Sequence, residues 1–135
     1  MKKISYGIMI FSIFIFFLSI FYFNKPIDSW DIYVSFEATD DTGGFDLNNT
    51  ALTFGKIPKG SSSTRSINFD NNYDFPIRLA IFSEGEIKDY LSYTNKIIVY
   101  SKEKEKIYFI MSVPADLDDG YYDGLVKVRI YRFYG

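Results

Sequence analysis

The sequence predicts an all-β domain carried on a single N-terminal transmembrane helix. Three observations carry this. Residues 4–23 form an almost unbroken apolar run. The rest of the chain is broken by Gly, Pro, Asp and Asn at intervals of roughly ten residues. Between the breaks, apolar and polar residues alternate with the period of a half-buried strand.

The apolar run, Ile4 to Phe23, has about the 20 residues that an α-helix needs to cross a bilayer core. A cleaved secretory signal has a shorter apolar region and small residues ahead of its cleavage site. Ser19-Ile20-Phe21-Tyr22-Phe23 has no such site, and there is no Cys for a lipid attachment. A prepilin-type cut after Gly7 wants a charged residue where Tyr6 stands and Glu where Ser12 stands. A retained signal anchor is therefore expected, with Tyr22, Phe23 and Lys25 at the membrane interface. Lys2 and Lys3 crowd the N-terminal side and set that end in the cytoplasm. Residues 1–25 read as cytoplasmic tail and anchor, and 26–135 as one extracytoplasmic domain. Ser5, Ser12 and Ser19 fall on one helical stripe, a candidate for helix–helix packing in lipid.

Composition narrows the chemistry. About 110 residues outside the anchor suffice for one small domain with its own core. Setting Lys2 and Lys3 aside leaves 13 basic residues against 17 acidic ones, a net of −4 where the whole chain has −2. That balance argues against nucleic acid, whose backbone demands a basic face. The chain has no Cys and no His. Triad hydrolases, zinc hydrolases and Cys-His nucleophiles are thereby excluded, because each needs one of those side chains. No cofactor is called for. Phe, Tyr, Ile and Val are abundant, which suits strands.

The strands follow in order. Trp30 to Ala38 alternates cleanly, and Asp40-Asp41-Thr42-Gly43-Gly44 ends it. Leu52-Thr53-Phe54 is a short strand stopped by Gly55 and Pro58. Arg65 to Phe69 runs into Asp70-Asn71-Asn72. Ile77 to Ile81 starts after Pro76, a position that suits a strand start. Gly85 to Leu91 offers one helical turn at most. Ile97 to Tyr100 is compact and apolar, and Lys102 to Lys106 reads as a charged hairpin connection. Ile107 to Val113 alternates until Pro114. The last strand runs from Tyr122 through Val126, Val128 and Ile130. Seven short strands with turns between them predict an antiparallel immunoglobulin-like β-sandwich, its two inner faces filled by the alternating apolar residues.

The order of these elements resembles a known module. Leu52-Thr53-Phe54-Gly55-Lys56-Ile57-Pro58-Lys59-Gly60-Ser61-Ser62-Ser63 is similar to the opening of immunoglobulin-like domains of the ASPM/SPD-2/hydin and major-sperm-protein type. Asn71-Asn72 stands where that family has an Asn-rich turn. Val113-Pro114 and Gly120-Tyr121-Tyr122-Asp123-Gly124-Leu125-Val126-Lys127-Val128 resemble its closing strands. One departure is the Lys102–Lys106 hairpin, where the family usually carries Pro-Gly. The resemblance covers Ala51 to Arg132. It implies a sandwich that binds proteins or acts as a spacer, as in membrane-anchored archaeal and bacterial surface proteins, and it implies no catalytic residue.

Five groups of residues have a reading beyond the fold. Asp116, Asp118, Asp119 and Asp123 cluster around a turn and are weak candidates for a cation. Their spacing departs from a calcium loop, since Gly120 falls where a third acid belongs, and Asp is in any case a preferred turn residue. Asp40, Asp41 and Asp46 flank Gly43-Gly44, but acid/base chemistry on paired carboxylates needs a cleft that so small a sandwich rarely holds. Asn48-Asn49-Thr50 is an N-glycosylation sequon. Gly60-Ser61-Ser62-Ser63-Thr64 lacks the Lys and helix of a phosphate loop and reads as a polar turn. On the last strand Lys127, Arg129, Tyr131 and Phe133 share the face opposite Val126, Val128 and Ile130. Exposed aromatics beside Arg suit a binding surface, so Arg129, Tyr131 and Phe133 are the candidate partner residues.

The expected function is a non-enzymatic interaction or structural module of the cell envelope, anchored in lipid by its helix. Its partner would be an envelope protein or a second copy. An accessory subunit of a surface filament or secretion system has the same layout of anchor plus sandwich. A small carbohydrate-binding domain is the alternative, with Trp30 or the Tyr-rich strands as stacking platforms.

Overall fold

The computed structural model describes residues 2–40 and 52–135. Helix α1 (Lys2–Phe23) precedes eight described strands: β1 (Asp28–Thr39), β2 (Leu52–Pro58), β3 (Ser62–Asp70), β4 (Ile77–Gly85), β5 (Leu91–Tyr93), β6 (Lys96–Val99), β7 (Lys104–Ser112) and β8 (Gly120–Arg132). A 3-10 turn, Glu86–Asp89, joins β4 to β5. The strands make a five-stranded sheet of order β2-β1-β8-β4-β6 and a three-stranded sheet of order β3-β7-β5.

Within α1, the stretch Lys3–Phe23 is long and apolar enough to cross a membrane, and none of it is buried by the rest of the chain. The Ser12 and Ser19 hydroxyls donate to the carbonyls of Ile8 and Ile15, each at 2.9 Å. These bonds satisfy both hydroxyls inside their own helix. Between helix and sheet the link is only Asn24 to Ile27. Ile27 N–H already donates to the Ile130 carbonyl at 2.8 Å, so the chain enters the sheet at once.

The strand count, bounds and pairing differ from expectation in four places. β1 and β2 run parallel, so the larger sheet is mixed. Gly55 lies inside β2 instead of ending it. It has φ +68 and sits where the register slips by one residue against β1, between the Ser35–Thr53 and Glu37–Lys56 pairs. A bulge of this kind takes a left-handed residue, which glycine supplies without strain. β5 is the eighth strand, three residues that the turn signals around Gly85 had concealed. Lys104 to Lys106 are not a connection but the start of β7, paired with Asp70, Phe69 and Asn68. The turn itself is Tyr100–Glu103, closed by Glu103 N–H to the Tyr100 carbonyl at 3.1 Å, with Lys102 at φ 61.

One hydrophobic core draws on both sheets. Val34 and Phe36 of β1, Phe54 of β2, Leu79 of β4, Phe109 and Met111 of β7 and Val126 and Val128 of β8 are all buried in it. Phe36 stacks on Tyr122 at 5.1 Å and meets Tyr90 edge-on at 6.0 Å. Such pairs add about 0.5–1.5 kcal/mol each beyond their area. Trp30 packs its ring 5.2 Å from Phe69, tying β1 of one sheet to β3 of the other. The Ser83 and Tyr93 hydroxyls, 3.1 Å apart, join the sheets a second time.

Both ends of the β1–β8 ladder follow from its register. Asp28 faces Ile130 beside the helix, and Ala38 faces Gly120 at the far end. β4 also starts beside the helix, with Ile77 opposite Arg132. Asn71 organises that end. Its Nδ2 donates to the carbonyls of Phe75, Val99 and Tyr100, each at 3.0 Å, and its Oδ1 accepts from Tyr73 N–H at 3.0 Å. Its own N–H reaches the Glu103 carbonyl at 2.9 Å.

Candidate interaction surfaces

The outer face of the five-stranded sheet holds the predicted partner residues. Tyr131 lies opposite Arg78 of β4, whose guanidinium carbon is 4.8 Å from the Tyr131 ring centre. Arg129 lies opposite Ala80 and reaches the neighbouring Phe82 ring at 5.0 Å. Lys127 Nζ pairs with Glu84 at 3.0 Å. β4 and β8 are thus laced across their outer face by alternating cations, rings and a carboxylate. Arg129 is exposed and Tyr131 half-buried. Phe133 lies beyond the end of β8, half-buried, its N–H bonded to the Pro76 carbonyl at 3.0 Å. A ring already stacked under a guanidinium has a fixed rotamer, which lowers the entropy cost of any contact it makes.

A second cluster lies on the same face. Tyr33 of β1 donates to Asp123 Oδ2 of β8 at 3.0 Å, and its hydroxyl lies 3.1 Å from that of Tyr121. Because Tyr33 spends its proton on Asp123, Tyr121 is the donor to Tyr33. The Tyr121 hydroxyl, then burial and then Asp123 all push the Tyr33 pKa above the ordinary tyrosine range. Tyr33 is 41% and Tyr121 61% exposed, so the pair presents two rings to solvent at the far half of the sheet. Tyr33 and Tyr121 are both on polar faces of their strands, which the alternation foretells; that they meet depends on the β1–β8 register, which it does not.

Two grooves lie among the described residues. One, of about 650 Å³, runs beside β4 and β5 and is lined by Phe82, Ser83, Glu84, Lys88, Tyr93 and Asn95 among others. The other, of about 620 Å³, lies where α1 meets the sheets, between Tyr22, Phe23, Lys25, Phe75, Arg132 and Tyr134. Trp30 lines neither, being packed on Phe69.

The acidic turn is tied down by a lysine. Lys59 Nζ lies 2.8 Å from Asp119 and 3.1 Å from Asp40. These two carboxylates, Asp119 foremost, raise the Lys59 pKa against a smaller opposing effect of burial. The Asp118 carbonyl accepts from the Tyr122 hydroxyl at 2.8 Å. Among the described residues, no group of three or more carboxylates is placed to hold a metal ion. Asp41, Asp46, Gly43, Gly44 and the Asn48 sequon lie outside the described residues. Comparison with protein-family models, with known proteins and with solved structures finds no match to this chain.

Proposed function

We propose that the chain is a non-enzymatic, membrane-tethered interaction module of the cell envelope. In this reading α1 spans the membrane with its N-terminus in the cytoplasm, and the two sheets form an extracytoplasmic immunoglobulin-like sandwich. The observation that carries it is the outer face of the five-stranded sheet, where Tyr33, Tyr121, Arg129 and the stacked Arg78–Tyr131 pair stand in one solvent-facing array. Exposed Tyr and Arg are the residues that protein interfaces favour at their centres. The four-residue link from helix to sheet supports a fixed tether over a roaming one. A narrower form of the proposal is an accessory subunit of a surface filament or secretion system.

The small-carbohydrate alternative draws on the groove beside Phe82 and Tyr93. It is the weaker reading, because the Phe82 ring is already covered by Arg129 and the Tyr93 hydroxyl is engaged by Ser83.

The test is photo-crosslinking in native membranes, with a photoreactive residue at Tyr33 or Arg129 and, as control, at Ser112 on the other sheet. Specific adducts to one envelope protein or to a second copy from the first two sites alone support the proposal. Equal labelling from all three sites, or none, would sink it.

A further inference from the structure

We propose that the junction between α1 and the sheet domain is a binding site for the phosphate of an anionic phospholipid, with Arg132 and Lys25 as its two cations. This rests on the membrane-tethered reading above and goes beyond it, since tethering requires no lipid selectivity.

Charges at the helix end of the domain are matched except at two cations. Lys102 pairs with Asp74 at 3.1 Å, and Lys104 with Asp70 at 3.5 Å. Lys25 and Arg132 have no carboxylate partner among the described residues, and both line the same groove of about 620 Å³. Arg132 is instead fixed by rings. Its guanidinium carbon lies 4.3 Å from the Phe75 ring centre and 5.4 Å from that of Tyr134. These ring contacts leave the guanidinium N–H groups without a hydrogen-bond partner among the described residues, and a planar fork of N–H donors matches two phosphate oxygens. The groove is therefore an ordered fork of donors with a second cation beside it and no anion of its own.

The remaining walls say which phosphate. Tyr22 and Phe23 belong to the last turn of α1 and are widely exposed, at 77% and 67%. Phe23 also meets Tyr134 edge-on at 6.4 Å, which ties the groove to the helix. A phosphate held between Arg132 and Lys25 is continuous with this apolar flank. A glycerophospholipid can place its headgroup in the groove while its acyl chains run down Tyr22 and Phe23 into the bilayer. Free phosphate would leave that apolar flank without a use. Headgroups carrying an ammonium gain less, because the faces of Phe75 and Tyr134 are already occupied by Arg132 and two cations lie near. Phosphatidylglycerol brings a net negative charge to the two cations and phosphatidylcholine brings none.

The experiment uses the full chain reconstituted in phosphatidylcholine vesicles doped with photoactivatable phosphatidylglycerol or photoactivatable phosphatidylcholine. Adduct yield is read by peptide mapping. We expect adducts on Tyr22–Ile27 and on Phe133–Tyr134, with yields about thirtyfold higher for the phosphatidylglycerol probe, about fivefold for each of the two cations at a lipid surface. Arg132→Gln and Lys25→Gln should each abolish most of that preference, and Arg132→Lys should retain part of it. Lys104→Gln removes the same charge at the same end and should leave the preference intact. Equal labelling by the two probes, or equal loss in Lys104→Gln, overturns the proposal, the second because it would mean diffuse attraction without a site. Displacement of the lipid probe by excess inorganic phosphate also overturns it, in favour of a free-anion site. Extraction with alkaline carbonate separates the two levels. A chain that stays in the vesicles but lacks the preference refutes only the lipid site, whereas a chain that is released refutes the tether and the lipid site together.

Discussion

Replacing Asn71 by Ala should destabilise the domain by about 3 kcal/mol. The side chain is 1% exposed, and it serves the carbonyls of Phe75, Val99 and Tyr100 and the N–H of Tyr73. Four interactions at about 1 kcal/mol each set the scale. The figure is discounted because three carbonyls share two amide hydrogens, and partly exposed ones regain water. The Val99 carbonyl is buried and has no such recourse. For a domain of this size, about 3 kcal/mol corresponds to a midpoint lower by roughly 12 °C. The assay is thermal unfolding of the full chain in detergent micelles, followed by near-ultraviolet circular dichroism. Asn71→Asp separates hydrogen bonding from packing, since it keeps the volume and the acceptor. At neutral pH it sets a carboxylate oxygen against three carbonyl oxygens and should cost at least as much as Ala, with part recovered in acid as the carboxyl protonates. An Ala variant within about 0.5 kcal/mol of the parent, or an Asp variant as stable as the parent at neutral pH, would refute the reasoning.

Three further outcomes follow from the same geometry. Gly124→Ala places a methyl group against the Glu84 carbonyl and Ile87, and should lower stability by about 1–3 kcal/mol in the same melting experiment. Tyr33 is held protonated in the folded state, so the folded chain binds more protons than the unfolded one above about pH 10, where free tyrosine ionises. Stability should therefore be full below that pH and decline above it, and Tyr33→Phe should flatten the decline in alkaline denaturant titrations. Lys59→Gln frees Asp40 and Asp119 from their shared cation and should lower the melting temperature at neutral pH, by less at high salt than at low salt.

What was legible in the sequence was whatever depends on a single segment. The apolar run of α1 and the alternation of β1, β7 and β8 mark themselves, because burial on one face imposes a period that no partner needs to supply. Gly55 is ambiguous in sequence because its meaning is relational. A glycine can stop a strand or bulge it, and only the register against β1 decides. Lys104-Glu105-Lys106 look like a solvated turn because both faces of the strand start are wet, yet Asp70 and Asn68 across the ladder claim them. β5 is shorter than any window that could detect alternation. The polar cluster of Tyr33, Tyr121 and Asp123 spans some 90 residues of sequence, and the role of Asn71 lies in carbonyls 28 and 29 residues away. Composition spoke to chemistry by exclusion, through the lack of His and Cys, and had no means of saying which face is recognised.

The length of β8 sets a stand-off distance. Its 13 residues run from beside the helix to the far end of the larger sheet. At about 3.3 Å per residue that is roughly 40 Å, and the strand cannot stretch. If α1 fixes one end at the lipid surface, then the Lys59–Asp119 corner at the other end lies no farther than that from it. Anything met by the Tyr33–Tyr121 pair must come within that layer, however long or mobile the partner is elsewhere. On the proposed tether, contacts are sorted by height above the membrane as well as by chemistry.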